Sequence, residues 1–170
     1  WASKKLKRPI KWTADRTEAF LADAHGRDHI NKVRMGLDKD NRITGLRVDT
    51  LANLGAYLGA FSVVTPTILH APLLSGCYQI PAIYTNVKGM ATTTARVDAY
   101  RGAGRPEAPC LLERVLDTAA RQAGLDPAEF RRLNFIPKDA FPYQTPVALQ
   151  YDIGDYEPPL DKAMEMIDYK

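Results

Sequence analysis

The sequence predicts an α+β fold in which an antiparallel hairpin and further strands are followed by helices. Three observations carry this reading. Apolar residues alternate through Val33, Met35 and Leu37 and resume through Ile43, Leu46 and Val48, on either side of Asp38, Lys39, Asp40 and Asn41. That is the pattern of two half-buried strands around a polar turn. The stretch 84–95 is rich in Thr, Val and Tyr and reads as extended. From Ala108, the residues Leu111, Leu112, Val115, Leu116 and Ala119 recur at helical spacing, with Glu113, Arg114, Asp117 and Arg121 on the other side.

A chain of 170 residues with 45% hydrophobic content can bury a core as a single domain-sized unit, residues 1–170. A charged share of 25% is that of an ordinary globular chain and excludes wholesale disorder. The net charge of +3 is too small to argue for nucleic acid, and Lys4, Lys5, Lys7, Arg8 and Lys11 read as a solvated helix end. No apolar run reaches membrane-spanning length, and no signal peptide is visible. Cys77 and Cys110 are too few for a metal cage or a disulfide scaffold, so they read as reduced thiols of a cytoplasmic protein. The chain begins at Trp1, not at methionine, and reads as a piece of something longer.

Taken in order, residues 3–8 form the basic last turn of a helix that Pro9 stops. Ile10, Lys11 and Trp12 suggest a short strand, and Thr13 an N-cap for a helix over 14–21. The hairpin follows, and the offset between Ile43 and Leu46 predicts a bulge near Gly45. Residues 51–75 read as a buried apolar segment leading to a short helix over 67–74, in which His70 is a satisfied core histidine. Gly124 ends the amphipathic helix, and Asp126, Pro127 and Glu129 open the next. Residues 135–159 hold five prolines and several aromatics, as in a packed lid or binding loop. Pro158 and Pro159 open a last helix with Leu160, Ala163, Met164 and Ile167 on its apolar side.

Two stretches invite a functional reading. Asp23, His25, Asp28 and His29 lie within seven residues and are chemically able to ligate zinc, but Gly26 breaks any helical alignment, and hydrogen-bonded loop residues are the commoner outcome. The run Asp98-Ala99-Tyr100-Arg101-Gly102-Ala103-Gly104-Arg105-Pro106-Glu107 places two arginines and two glycines just ahead of a helix. Glycines admit a tight turn and a close ligand, and helix N-termini attract anions. The third glycine of a dinucleotide fingerprint is missing and no Gly-Lys-Ser/Thr follows, so a ligand loop and a plain glycine-rich connection both stay open on spacing alone.

Four ordered stretches resemble one family: Arg8-Pro9-Ile10-Lys11-Trp12-Thr13-Ala14-Asp15-Arg16, Ala22-Asp23-Ala24-His25-Gly26-Arg27-Asp28, the loop from Ala99 to Ala108, and Tyr151-Asp152-Ile153-Gly154-Asp155-Tyr156-Glu157. They are similar to the molybdenum-binding large subunit of the xanthine dehydrogenase and aldehyde oxidase superfamily. The branch resembled most is called the large chain of aerobic carbon monoxide dehydrogenase. The resemblance implies oxidative hydroxylation of an aldehyde, heterocycle or similar small molecule, with water as the oxygen source. It implies a molybdenum–molybdopterin cofactor, in the cytosine dinucleotide form usual in bacteria, with iron–sulfur and FAD subunits or domains to carry electrons away.

The same resemblance sets Tyr100, Arg101, Gly102, Ala103 and Gly104 beside the cofactor. Three departures narrow it. The copper-ligating cysteine of true carbon monoxide oxidisers corresponds to Gly102, which has no thiolate. The substrate-anchoring arginine of purine oxidisers corresponds to Leu69, and their stacking aromatic to Ala103. The family's glycine-rich pterin loop is expected upstream of Trp1 and its general-base glutamate downstream of Lys170, so the isolated chain is expected to hold no catalytic residue, no metal and no cofactor. The alternative is a non-catalytic binding or scaffold module derived from the same fold.

Overall fold

The computed structural model describes residues 1–169. Strand β1 (His29–Leu37) runs antiparallel to β2 (Ile43–Gly55), and β3 (Ile83–Ala91) lies parallel to β2 on its other side, giving the order β1-β2-β3. The expected bulge is present. Leu37 pairs with Ile43 but Gly36 with Gly45, which leaves Thr44 as the extra residue. The bulge resets the phase of the strand, so Ile43 on one side and Leu46, Val48, Thr50 and Ala52 on the other all face inward.

Helix α1 (Ala2–Leu6) occupies the expected place, but the strand expected at Ile10 to Trp12 is not formed and those residues are exposed. Helix α2 (Arg16–Ala22) is capped by Asp15, not by Thr13. The reason is a capping box: Asp15 Oδ1 accepts from the Glu18 amide at 2.8 Å, and Glu18 Oε2 accepts from the Asp15 amide at 2.9 Å. The segment expected to start at residue 51 is in fact the end of β2, because its alternation continues to Gly55. The short helix expected over 67–74 is only a 3-10 turn, Ala71–Leu73, set among turns. Residues 56–82 therefore cross from the end of β2 to the start of β3 without a regular helix of their own.

Helix α3 (Glu107–Ala123) packs its apolar side on the sheet, and Gly124 ends it in the left-handed conformation at φ 71°. Its most deeply buried leucines are Leu112 and Leu116, at 1% and 0% exposure. Helix α4 (Pro127–Asn134) starts at Asp126, whose carboxylate accepts from the amides of Ala128 and Glu129. The core joins Ile43, Leu46 and Val48 to Leu74, Tyr78 and Ile80 from the crossover, to the α3 leucines and to Phe130 of α4. Tyr78 donates its hydroxyl to Glu113, which with Asp117 also holds Arg131, so the polar end of a buried aromatic is satisfied within a network.

Beyond α4, residues 135–156 are irregular, as expected, apart from a 3-10 turn (Lys138–Ala140) and a two-residue hairpin of β4 (Tyr143–Gln144) and β5 (Gln150–Tyr151). They pack through Phe135, Tyr156 and Phe141, while α5 (Glu157–Met166) is tied back by Arg132, which donates to Glu157 and Asp161. No described helix is long and apolar enough to cross a membrane.

Asn134 fastens α4 to the hairpin. Its Oδ1 accepts from the buried Ile43 amide at 2.8 Å, and its Nδ2 donates to the carbonyls of Asn41 and Phe130. Asn134→Ala strands that amide and is expected to cost about 1–3 kcal/mol. Leu116→Ala, which empties a fully buried site, is expected to cost about 2–5 kcal/mol. Urea unfolding followed by circular dichroism measures both, and a negligible loss at Leu116 would mean that the packed face of α3 is misassigned.

Candidate functional site

The loop 98–106 connects the end of the β3 region to α3. Its backbone is forced into positive φ at three successive residues: Gly102 at 92°, Ala103 at 42° and Gly104 at 86°. Only glycine takes such values without strain, and the two glycines are also sterically required. A Cβ on Gly104 would collide with the Thr65 carbonyl and lie 2.9 Å from the Leu69 carbonyl oxygen. A Cβ on Gly102 would lie 2.7 Å from the Pro106 ring. The loop thus rests main chain to main chain on the crossover, with Gly104 buried and Tyr100, Arg101 and Gly102 exposed. Ala103 is half-buried.

The crossover holds the loop's first stem as well as its floor. Asp98, at 8% exposure, accepts from the Phe61 amide at 2.9 Å and from the Ala99 amide at 2.7 Å through Oδ1. Ser62 Oγ donates to the Val97 carbonyl at 2.6 Å and accepts from the Gly59 amide. These contacts are local turns of 56–70 that could not be read as partners of residue 98 from sequence.

The third support is the segment that invited a zinc reading. The His25 amide donates to the Arg96 carbonyl at 2.9 Å and the Asp98 amide donates to the His25 carbonyl at 2.8 Å, a single rung of parallel sheet. Gly26 sits so close that an added Cβ would be 2.9 Å from the Tyr100 Cβ. The Arg27 guanidinium stacks 4.6 Å above the Tyr100 ring and its Nη2 donates to the Arg101 carbonyl. His25, His29, Asp23 and Asp28 do not converge on one point, and no group of three or more His, Cys, Asp or Glu side chains suited to a metal is found among the described residues. The motif is a strap across the loop.

Two grooves flank this assembly. One of about 660 Å³ lies between α2, the strap and Tyr100. The other, of about 530 Å³, runs between β1 and the start of α3 and is lined by Arg27, His29, Glu107 and Arg114 among others. The amides of Arg101 and Gly102 donate to no acceptor among the described residues. Together with the side chains of Arg101 and Arg105 they present bare donors and positive charge at an exposed main chain, which is what a planar or anionic ligand needs. Cys77 contributes nothing reactive here, since burial pushes its thiol up to about 11.

The five residues expected at the site are contiguous in this loop. Of its supports, Asp98 opens the run singled out in the sequence and Arg27 lies in the stretch from Ala22 to Asp28, while His70 carries no sequence signal for that role.

Residues 1–135 match the model of a molybdopterin cofactor-binding domain. The chain is 39% identical to the carbon monoxide dehydrogenase large chain of Hydrogenophaga pseudoflava, over 99% of this chain and 21% of that protein. It is 33% identical to the nicotine 6-hydroxylase large subunit of Paenarthrobacter nicotinovorans, again over 99% and 21%. Among solved structures, quinoline 2-oxidoreductase from Pseudomonas putida 86 superposes with a TM-score of 0.90 at 29% identity, covering 98% of this chain and 21% of that one. A Cu,Mo-CO dehydrogenase superposes at 0.89 and 32%, covering 99% and 21%. The chain spans about a fifth of the length of these relatives.

Arg27→Ala removes the cation above Tyr100 and the donor to Arg101. It is expected to raise amide hydrogen exchange across 98–107 while leaving α3 unchanged, with a stability loss of about 0.5–1 kcal/mol. Equal exchange in the two proteins would mean that the strap does not restrain the loop.

Proposed function

Because this chain belongs to the molybdopterin cofactor-binding domain family, we propose that it forms part of the large subunit of a molybdenum hydroxylase, with Tyr100, Arg101, Gly102, Ala103 and Gly104 beside the cofactor. The observation that carries this is the loop itself: a main chain free of Cβ at residues 102 and 104, with unused amides at Arg101 and Gly102 and two exposed guanidinium groups. These residues fit an anionic, pterin-bearing group. When bound, that group would supply a two-electron oxidation of a small molecule with water as the oxygen source. The chain's own part is to bind and orient it: the arginines neutralise charge, and the exposed backbone allows approach that side chains would block.

The substrate class is an aldehyde, a heterocycle or a similar small molecule. Gly102 supplies no thiolate, which speaks against the copper–molybdenum chemistry in the names of some relatives. A cytosine dinucleotide form of the cofactor is part of the proposal, as are iron–sulfur and FAD partners and a cytoplasmic location. Relatives named as the large chain or gamma subunit of a complex support an assembly with other subunits. No residue of this chain is assigned a general-base role.

Gly104→Val in the full-length protein is expected to lower molybdenum content to a small fraction of wild type, measured by elemental analysis, with Gly102→Val less severe because a proline ring yields more readily than two carbonyls. Unchanged molybdenum and activity in the Gly104 variant would reduce the loop to a connection.

A further inference from the structure

Two imidazoles meet beneath the loop. His70, from the crossover, is 0% exposed, and its Nδ1–H donates to the Gly104 carbonyl at 3.4 Å. A carbonyl only accepts, so the proton lies on Nδ1 and Nε2 is left bare. That Nε2 has no partner among the described residues. His29, the first residue of β1, stands edge-on to His70 with ring centroids 5.3 Å apart and planes at 79°, and its own Nδ1 is buried and unpartnered. Glu107, the first residue of α3, has a buried and unpartnered Oε2 and lines the same groove as His29. A buried polar atom without a partner keeps the cost of its lost hydration, so three of them around the loop's point of contact ask for an explanation.

We infer that His29 and His70 form an acid-sensitive latch, which holds the loop on its floor while both rings are neutral and releases it when the pair takes up a proton. The charged groups acting on the pair are Asp28 beside β1 and Glu107 at the head of α3, and Arg27 and Arg114 line the groove together with His29. The buried Oε2 of Glu107 hydrogen-bonds to neither ring. Burial lowers the His29 pKa against the pull of Glu107 and Asp28. Burial and then the neighbouring His29 lower that of His70, against the Gly104 carbonyl and Glu107. The closed state therefore holds the pair neutral, whereas an opened loop returns the rings to water and to an ordinary value of about 6.5.

The open state binds the proton more tightly, so the closed loop keeps its full stability above the ordinary imidazole value and loses it as pH falls through that value toward the lowered ones. Of the two rings, only His29 lines the neighbouring groove.

The latch is tested by amide exchange of 98–107 in the full-length protein without cofactor, from about pH 5.5 to about pH 8, corrected for intrinsic rates. Wild type should exchange several-fold faster at the acid end. His70→Asn, whose amide N–H takes the place of Nδ1–H and does not titrate, should keep protection and lose most of the acid response. His29→Gln should weaken that response too, and decides the matter if the Asn variant fails to fold. A wild-type loop indifferent to pH, or an acid response undiminished in both variants, would overturn the latch. Its meaning for the cofactor rests on the reading of the loop proposed above. Molybdenum retention across the same pH series tests that reading, so the two fail separately.

Discussion

The loop can lie on the carbonyls of Thr65 and Leu69 only because residue 104 carries no side chain. A backbone-on-backbone contact of this kind has no slack: any Cβ must push either the loop or its floor away. The surrounding structure is arranged to hold that contact from several directions. Asp98 and Ser62 pin the stem from the crossover side, the strap at His25 to Arg27 presses from the other, and α3 begins only a few residues later. Beneath it, His70 reaches the carbonyl of the same Gly104, so one residue meets the crossover through its Cα and through its oxygen.

What sequence can reveal of this divides by distance along the chain. The hairpin, its bulge, α3 and α4 are legible because their signals are local: alternation, the offset between Ile43 and Leu46, the leucine spacing, and Asp126 ahead of Pro127. The cap of α2 is a local matter too. Thr13 and Asp15 are both good caps, and only Asp15 has a glutamate three residues on, which is why the helix starts there. The parallel partnership of β2 and β3 is not legible, since nothing in either strand's composition names its neighbour or direction.

The candidate site shows the same division. Gly102 and Gly104 announce a tight, approachable main chain, and their positive φ values agree with that. His70 reads from sequence as a satisfied core histidine; it is core, but only Nδ1 has a partner. Asp23, His25, Asp28 and His29 look like ligands because they are close in sequence, yet the partners that define the role of this segment, Arg96, Asp98 and Tyr100, lie some seventy residues away. Proximity in sequence is a poor guide where a segment offers the loop its backbone at His25 and not its histidine and carboxylate side chains.

The crossover between β2 and β3 has a consequence for assembly. Because the strands are parallel, residues 56–82 must travel back along the sheet before β3 can pair, and this same stretch is the ground on which the loop stands. Closing a non-local connection costs chain entropy before any contact repays it, which puts parallel pairings at the slow end of folding. The hairpin can form from its neighbours alone, but the loop's bed exists only once the crossover is seated. Competence to receive a ligand is thus tied to the completion of the sheet and arrives late in the chain's folding, so the site is built after the scaffold that carries it.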